Sequence, residues 1–233
     1  CLYDVQANQT LQLRYEDAHF PSQRHPQKTV RLFEEKPMEA LQKHRENDHV
    51  DFKAQHLLPH MHSRLGPGIA VGDINGDGLE DFYTGGAAGQ CGQLLLQQPN
   101  GDFLRQAWNF DCQAEDTGLL LFDADNDQDL DLYVVSGGTA YVENSQLYQD
   151  RLYLNDGNAN FTKAPQALPA ITASGSVVTA ADYDRDGDLD LFVGGRVVPG
   201  RYPLNPQAYL LRNDTQNGIC RFTDITSEVN GLT

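Results

Sequence analysis

A nine-residue acidic loop occurs three times in this chain, and it limits the possible folds more than any other stretch. The copies are Asp73-Ile-Asn75-Gly-Asp77-Gly-Leu79-Glu-Asp81, Asp123-Ala-Asp125-Asn-Asp127-Gln-Asp129-Leu-Asp131 and Asp182-Tyr-Asp184-Arg-Asp186-Gly-Asp188-Leu-Asp190. Each sets oxygen-bearing side chains at its first, third, fifth and ninth positions. A hard cation such as Ca2+ takes six to eight oxygens in a flexible shell, and a tight loop of alternating carboxylates supplies them. The seventh residue (Leu79, Asp129 or Asp188) would add its backbone carbonyl. Without a cation, several carboxylates aimed into one small volume repel one another strongly. The alternative for any one copy is a solvated acidic turn, but three recurrences favour two to three Ca2+ sites.

The flanks of the loops are strands. Gly68-Ile-Ala-Val-Gly runs into the first loop and Phe82-Tyr-Thr-Gly-Gly86 leaves it; two further short apolar runs follow, split by the turn Pro99-Asn-Gly-Asp102. The same order recurs around the other two loops, whose starts lie 50 residues (123 − 73) and 59 residues (182 − 123) further on. Four short strands per repeat of this length is the pattern of a β-propeller blade. The expected fold class is therefore all-β, a partial propeller of three four-stranded blades at about 66–112, 113–170 and 171–223. Propellers close with about four to eight blades, so the remaining blades are expected outside these residues, and 224–233 reads as a connection to the next.

Upstream, Thr10–Tyr15 alternates as a half-buried strand within a remnant spanning 1–18, and 19–65 reads as a mostly irregular linker. Pro37 followed by good helix formers predicts a short helix through Asn47, and Val50-Asp-Phe predicts a short strand. His56, His60 and His62 cluster, but Pro59 breaks the helical spacing a zinc pair would need.

The formal net charge of −16 argues against a nucleic-acid partner, which needs a Lys/Arg footprint. No run of about 18 apolar residues is present to span a membrane. Cys91 and Cys112 flank an apparent hairpin and could pair as a disulfide or remain two half-buried thiols. With weak calcium modules working at millimolar Ca2+, this favours an extracytoplasmic location: secreted, periplasmic or on the cell surface. Two insertions, Thr139–Asp150 and Arg196–Pro206, sit between second and third strands and could either carry recognition or cover the core. Arg196, Arg201 and Tyr202 are the candidates for an anionic or sugar ligand.

Gly68-Ile-Ala-Val-Gly-Asp-Ile-Asn-Gly-Asp-Gly-Leu-Glu-Asp-Phe resembles the FG-GAP (VCBS-type) repeat, the calcium-bearing blade of integrin alpha chains and many bacterial surface proteins. The resemblance spans residues 66 to about 223 in three copies. Val5-Gln-Ala-Asn-Gln-Thr-Leu-Gln-Leu resembles the tail of an ASPIC/UnbV domain. The resemblance implies a propeller with Ca2+ in the loop between the first two strands of each blade. It also implies a parent with a signal peptide, and a role in adhesion or in binding a protein or glycan ligand. Carried over, the side-chain ligands are Asp73, Asn75, Asp77 and Asp81; Asp123, Asp125, Asp127 and Asp131; and Asp182, Asp184, Asp186 and Asp190. Gln128 stands where the other loops have Gly78 and Gly187, which is strained if that position is left-handed.

The expected function is a non-catalytic calcium-binding module. The alternative is a calcium-dependent polysaccharide lyase or hydrolase on the same scaffold, for which Tyr141, Tyr148, Arg196 and Tyr202 are the available side chains. No Gly-x-Ser-x-Gly elbow or His-Glu-x-x-His motif is present. An EF-hand is a poor fit: it needs Glu at position 12, and Thr84, Val134 and Val193 stand there.

Overall fold

The computed structural model describes residues 33–108 and 110–229. The strand expected at Thr10–Tyr15 and the ASPIC/UnbV-like stretch lie outside these residues. The chain divides after Pro37, and all of the described strands belong to the unit that opens at Met38.

Twelve strands form three four-stranded antiparallel sheets, each in chain order. The first holds β1 (Ile69–Gly72), β2 (Asp81–Thr84), β3 (Gln93–Gln97) and β4 (Phe103–Gln106). The second holds β5 (Asp116–Phe122), β6 (Asp131–Ser136), β7 (Arg151–Leu154) and β8 (Thr162–Lys163). The third holds β9 (Gly175–Ala181), β10 (Asp190–Gly195), β11 (Tyr209–Asn213) and β12 (Phe222–Asp224). Each acidic loop joins the first strand of a sheet to the second, and its ninth residue pairs with the last residue of the first strand: Asp81 with Gly72, Asp131 with Phe122, Asp190 with Ala181.

Side chains alternate across a strand, so each sheet has two faces, and here both carry apolar residues. Leu119 and Leu121 of β5 pack with Ala70, Tyr83 and Leu94 of the first sheet. Phe122, Tyr133 and Leu152 of the second sheet pack with Leu191, Val193 and Leu211 of the third. The core is thus two interfaces between stacked sheets, and each fully buried large side chain there contributes about 1.5–3 kcal/mol. The innermost strands approach closely: a Cβ on Gly118 would lie 2.9 Å from the Ser176 carbonyl oxygen. Among the described residues the sheets do not close into a ring, and this is a partial propeller. Ile69 and Val71, counterparts of Leu119 and Leu121, remain 64% and 56% exposed.

The segment ahead of the first sheet departs from expectation. No helix forms between Pro37 and Asn47. A helix this short is marginal without packing, and its amides are taken elsewhere: Gln42 N donates to Gln93 Oε1 (2.7 Å) and Arg45 N to Gln90 Oε1 (2.8 Å). Val50-Asp-Phe is likewise not a strand; Asp51–Lys53 is a single 3-10 turn. Its Asp51 is buried and accepts from His62 N, Ser63 N and Ser63 Oγ at 2.8–3.1 Å, and from Thr139 Oγ1 of the first insertion. One carboxylate therefore ties this segment to the first insertion, just beyond β6.

Candidate metal centres

Each loop is wound by its own side chains. In the first, Asp73 accepts from Asp77 N (3.1 Å) and Gly78 N (2.9 Å), and Asp77 accepts from Leu79 N (2.9 Å). The second repeats this, with Asp123 accepting from Asp127 N (3.2 Å) and Gln128 N (3.0 Å), and Asp127 from Asp129 N (3.1 Å). In the third, Asp186 accepts from Asp188 N at 3.2 Å. The backbone is left-handed at the fourth and sixth positions of every loop: φ is 73° and 83° at Gly76 and Gly78, 65° and 77° at Asn126 and Gln128, and 65° and 104° at Arg185 and Gly187. Gln128 therefore does sit in the conformation that glycine tolerates best, and so do Asn126 and Arg185.

This winding converges carboxylates. Oxygens of Asp123, Asp125 and Asp127 lie within 4.8 Å of one another, as do those of Asp182, Asp184 and Asp190. In the first loop Asn75 replaces the third carboxylate, and its Oδ1 accepts from Asp77 N (3.1 Å). Asp125 Oδ1, Asp129 Oδ1 and Asp188 Oδ1 are buried atoms with no hydrogen-bond partner. Burial, and next the neighbouring Asp127, raises Asp129 to about 6; burial and Asp186 raise Asp188 to about 7. Burial and then Asp127 also raise Asp125. Crowded, desolvated carboxylates hold their protons unless a positive charge replaces them.

The ninth residue has a different environment. Asp81, Asp131 and Asp190 are almost fully buried. In every loop one of its oxygens accepts from the amide of the second residue: Ile74 (3.1 Å), Ala124 (2.8 Å), Tyr183 (2.8 Å). The other accepts from an amide on or just after the third strand: Gln97 (2.7 Å), Asn155 (2.8 Å), Asn213 (2.8 Å). This carboxylate staples the loop to its own sheet with one lone pair of each oxygen and keeps the others. Burial raises Asp131 to about 7, against the opposing pull of its two amide donors.

Two residues that the loop motif does not include connect the loops to one another. Asn155 Nδ2 donates to the Ile74 carbonyl in the preceding loop (2.8 Å) and to Leu130 in its own (3.3 Å). Asn213 Nδ2 does the same to Ala124 (3.0 Å) and Leu189 (3.4 Å). Ile74 and Ala124 are buried, so these carbonyls have no water to turn to. Sequence reasoning missed both, although a signal was there: each asparagine follows the ninth aspartate by nearly the same interval, 24 and 23 residues.

The residues expected to recognise a ligand are partly committed. Arg201 Nε pairs with Glu143 Oε2 at 2.6 Å, joining the two insertions, and Tyr202 N donates to Gln55 Oε1 (2.9 Å). Arg196 is exposed and Tyr202 is 43% exposed. In the first insertion Tyr148 is fully buried, and its hydroxyl donates to the Tyr141 carbonyl at 2.8 Å. Of the histidines, the His60 and His62 rings lie against each other at 4.6 Å between centroids, tilted by 46°, and neither belongs to a convergent metal-ligand group among the described residues. Cys91 and Cys112 form a disulfide bond that closes the β3–β4 hairpin, with Cα atoms 4.0 Å apart. Cys220 is a free, buried thiol raised to about 12 by burial.

No curated protein matches the chain. Against family models, residues 123–193 match the FG-GAP-like repeat, a stretch that runs from the first aspartate of the second loop through the third loop into β10.

Proposed function

We propose that the three loops are structural Ca2+ sites of a non-catalytic, extracytoplasmic propeller module that binds a protein or glycan ligand. The observation that carries this reading is the set of buried carboxylate oxygens without donors, Asp125 Oδ1, Asp129 Oδ1 and Asp188 Oδ1, beside convergent groups of three aspartates. A buried anionic oxygen without a partner is costly, and an all-oxygen donor set of this kind suits Ca2+ better than a soft or borderline metal. Asp73, Asn75, Asp77 and Asp81, then Asp123, Asp125, Asp127 and Asp131, then Asp182, Asp184, Asp186 and Asp190 would each hold one ion together with the seventh-position carbonyl. The ion when bound supplies charge neutralisation, and the chain's residues do the rest by holding the strand-to-strand turn.

The non-catalytic reading is supported by the FG-GAP-like match, a repeat type that is typically non-catalytic. The extracytoplasmic reading is supported by the Cys91–Cys112 disulfide, a bond that persists in oxidising compartments. Ligand contact is assigned to the exposed Arg196 and Tyr202 of the second insertion. The direct test is calorimetry of Ca2+ binding to the chelator-treated chain, together with a glycan and protein array probed in Ca2+. Absence of binding at millimolar Ca2+ would sink the metal reading, and turnover of acidic or neutral polysaccharides would replace the binding module by an enzyme.

A further inference from the structure

The acid of this chain is unevenly spread. None of its 33 acidic residues lies in the stretch from Phe52 to Gly72, and none in the stretch from Leu191 to Asn213. The first stretch carries Lys53, Arg64 and three histidines, and the second carries Arg196 and Arg201. The fold brings the two together: Tyr202 N of the second donates to Gln55 Oε1 of the first at 2.9 Å. His62 marks the same neighbourhood. It is 7% exposed, and its Nδ1 is a buried nitrogen with no hydrogen-bond partner. Burial, then the charge of His60, lowers its pKa; Asp51 opposes this, and Arg196 of the second stretch adds to the lowering. Arg64 follows two residues later.

The topology sets these bases far from the acidic loops. Each loop joins the first two strands of a sheet, so it lies at one end of that sheet; the insertions join the second strand to the third and lie at the other end. The six residues of β10 separate the third loop from the second insertion, a span of roughly 20 Å at about 3.3 Å per residue. Charges are screened over about 8 Å at physiological salt, so an anion at the insertion end meets the local bases rather than the net charge of −16. Lys53, Arg64 and Arg196 are exposed and take part in no ion pair among the described residues, whereas Glu143 holds Arg201 at 2.6 Å. Tyr202 adds a ring that is 43% exposed.

We propose that the insertion end of the molecule binds an acidic polysaccharide, whose carboxylate or sulfate groups are taken by Lys53, Arg64 and Arg196 and one of whose sugar rings lies on Tyr202. The proposal rests on the ligand-binding reading and names the class of the ligand. Planar guanidinium forks match carboxylates and tetrahedral oxyanions with two parallel hydrogen bonds. A tyrosine ring offers an apolar face to sugar C–H groups and a hydroxyl to their oxygens. An acidic polypeptide fits this surface less well. Extended peptides add to a strand edge, and helical ones seat in an apolar groove, but 54–68 and 196–208 contain no strand or helix. Recognition there falls to side chains spread over irregular backbone, which suits repeated anionic groups on a sugar chain.

The test is interferometry of the whole chain, at one fixed Ca2+ concentration, against hyaluronate, dextran sulfate, dextran and poly-glutamate. Hyaluronate or dextran sulfate should bind and dextran should not, and the two acidic probes separate a carboxylate ligand from a sulfated one. Added salt should weaken that binding. Arg64→Gln and Arg196→Gln should each weaken it by about three- to tenfold, the worth of one exposed hydrogen bond to a charged group. Tyr202→Ala should weaken polysaccharide binding and leave any poly-glutamate binding unchanged. Arg221→Gln removes an exposed base from the β11–β12 hairpin, at the loop end of the third sheet, and should stay within about twofold of wild type. Far-ultraviolet circular dichroism checks the fold of each variant. Equal binding of dextran, poly-glutamate bound as tightly as the polysaccharides, or wild-type affinities from both Arg64→Gln and Arg196→Gln would overturn the proposal. So would capture of a protein ligand with no acidic polysaccharide bound, an outcome that leaves the binding module intact. A chain that retains no glycan and no protein would overturn the ligand-binding reading and this proposal together.

Discussion

Single residues in this chain are placed where their chemistry is strained and the fold compensates. Gln128 has a left-handed φ of 77° at a position the other loops give to glycine. That conformation costs a non-glycine residue on the order of 1–2 kcal/mol, and glycine returns part of the gain through unfolded-state entropy. Gln128→Gly is therefore expected to stabilise the chain by roughly 0.5–1 kcal/mol in chemical denaturation; a loss of stability would show that the Gln128 side chain makes a compensating interaction. Glu115 is a second case. It is 5% exposed, its Oε2 has no partner, and burial, then repulsion from Glu46, Asp51 and Asp116, raises it to about 8. Its folded pKa lies above the unfolded value, so the native state holds this proton more tightly than the unfolded chain does. Stability from this group is present at low pH and falls as pH rises from about 4.5 to about 8, with a slope approaching about 1.4 kcal/mol per unit where only the native state is protonated. Glu115→Gln should flatten that part of the profile, and an unchanged pH dependence of unfolding would show that Glu115 is not its source.

At the scale of elements, the acidic loops are coupled by the asparagines at the end of the third strands. Asn155 gives the buried Ile74 carbonyl its donor across the interface between the first two sheets. Asn155→Ala leaves that carbonyl unsatisfied, which costs about 1–3 kcal/mol. Urea unfolding of this variant should show the loss with an unchanged m-value, and wild-type stability would mean water replaces the amide. Further out, the Cys91–Cys112 bridge closes a 21-residue separation around β3 and β4. Reduction should destabilise the chain by about 2–4 kcal/mol, most visibly as faster hydrogen exchange in that hairpin rather than in β9–β12. Long-range contacts also explain why the predicted helix at 37–47 fails. The helix-forming composition was legible, but the backbone amides of Gln42 and Arg45 are claimed by Gln93 and Gln90, residues more than forty positions away.

For the molecule as a whole, the sheets stack through two apolar interfaces and three loops of concentrated negative charge. Chelation by EDTA is expected to lower the melting temperature and added Ca2+ to restore it. A ligand that binds only the native state at a hundredfold excess over its dissociation constant stabilises by about 2.7 kcal/mol per site. An identical melting curve in EDTA and Ca2+ would rule out a structural role for the ion. The repeat made this architecture readable in advance: alternating apolar runs at a regular interval produced the three sheets, and the loops fell between first and second strands as their spacing required. The insertions were less readable. Whether Arg201 faces a ligand or Glu143 depends on which loop folds back beside it, and the 2.6 Å pair settles its present partner.

The periodicity is written in the amino-acid order: which residues form strands, where the three acidic turns lie, and that oxygen donors recur at alternating positions within each. Those are local consequences of side-chain alternation and turn chemistry, which act over a few residues. Which of those oxygens already accept hydrogen bonds depends on how the sheets fold around the loops. The ninth aspartate could be read as one more ligand from its position, yet its oxygens are shared with amides on the third strand of the same sheet. Asp125, Asp129 and Asp188 each keep one buried oxygen without a hydrogen-bond partner. Burial and long-range hydrogen bonding belong to the packed sheets rather than to any nine-residue stretch.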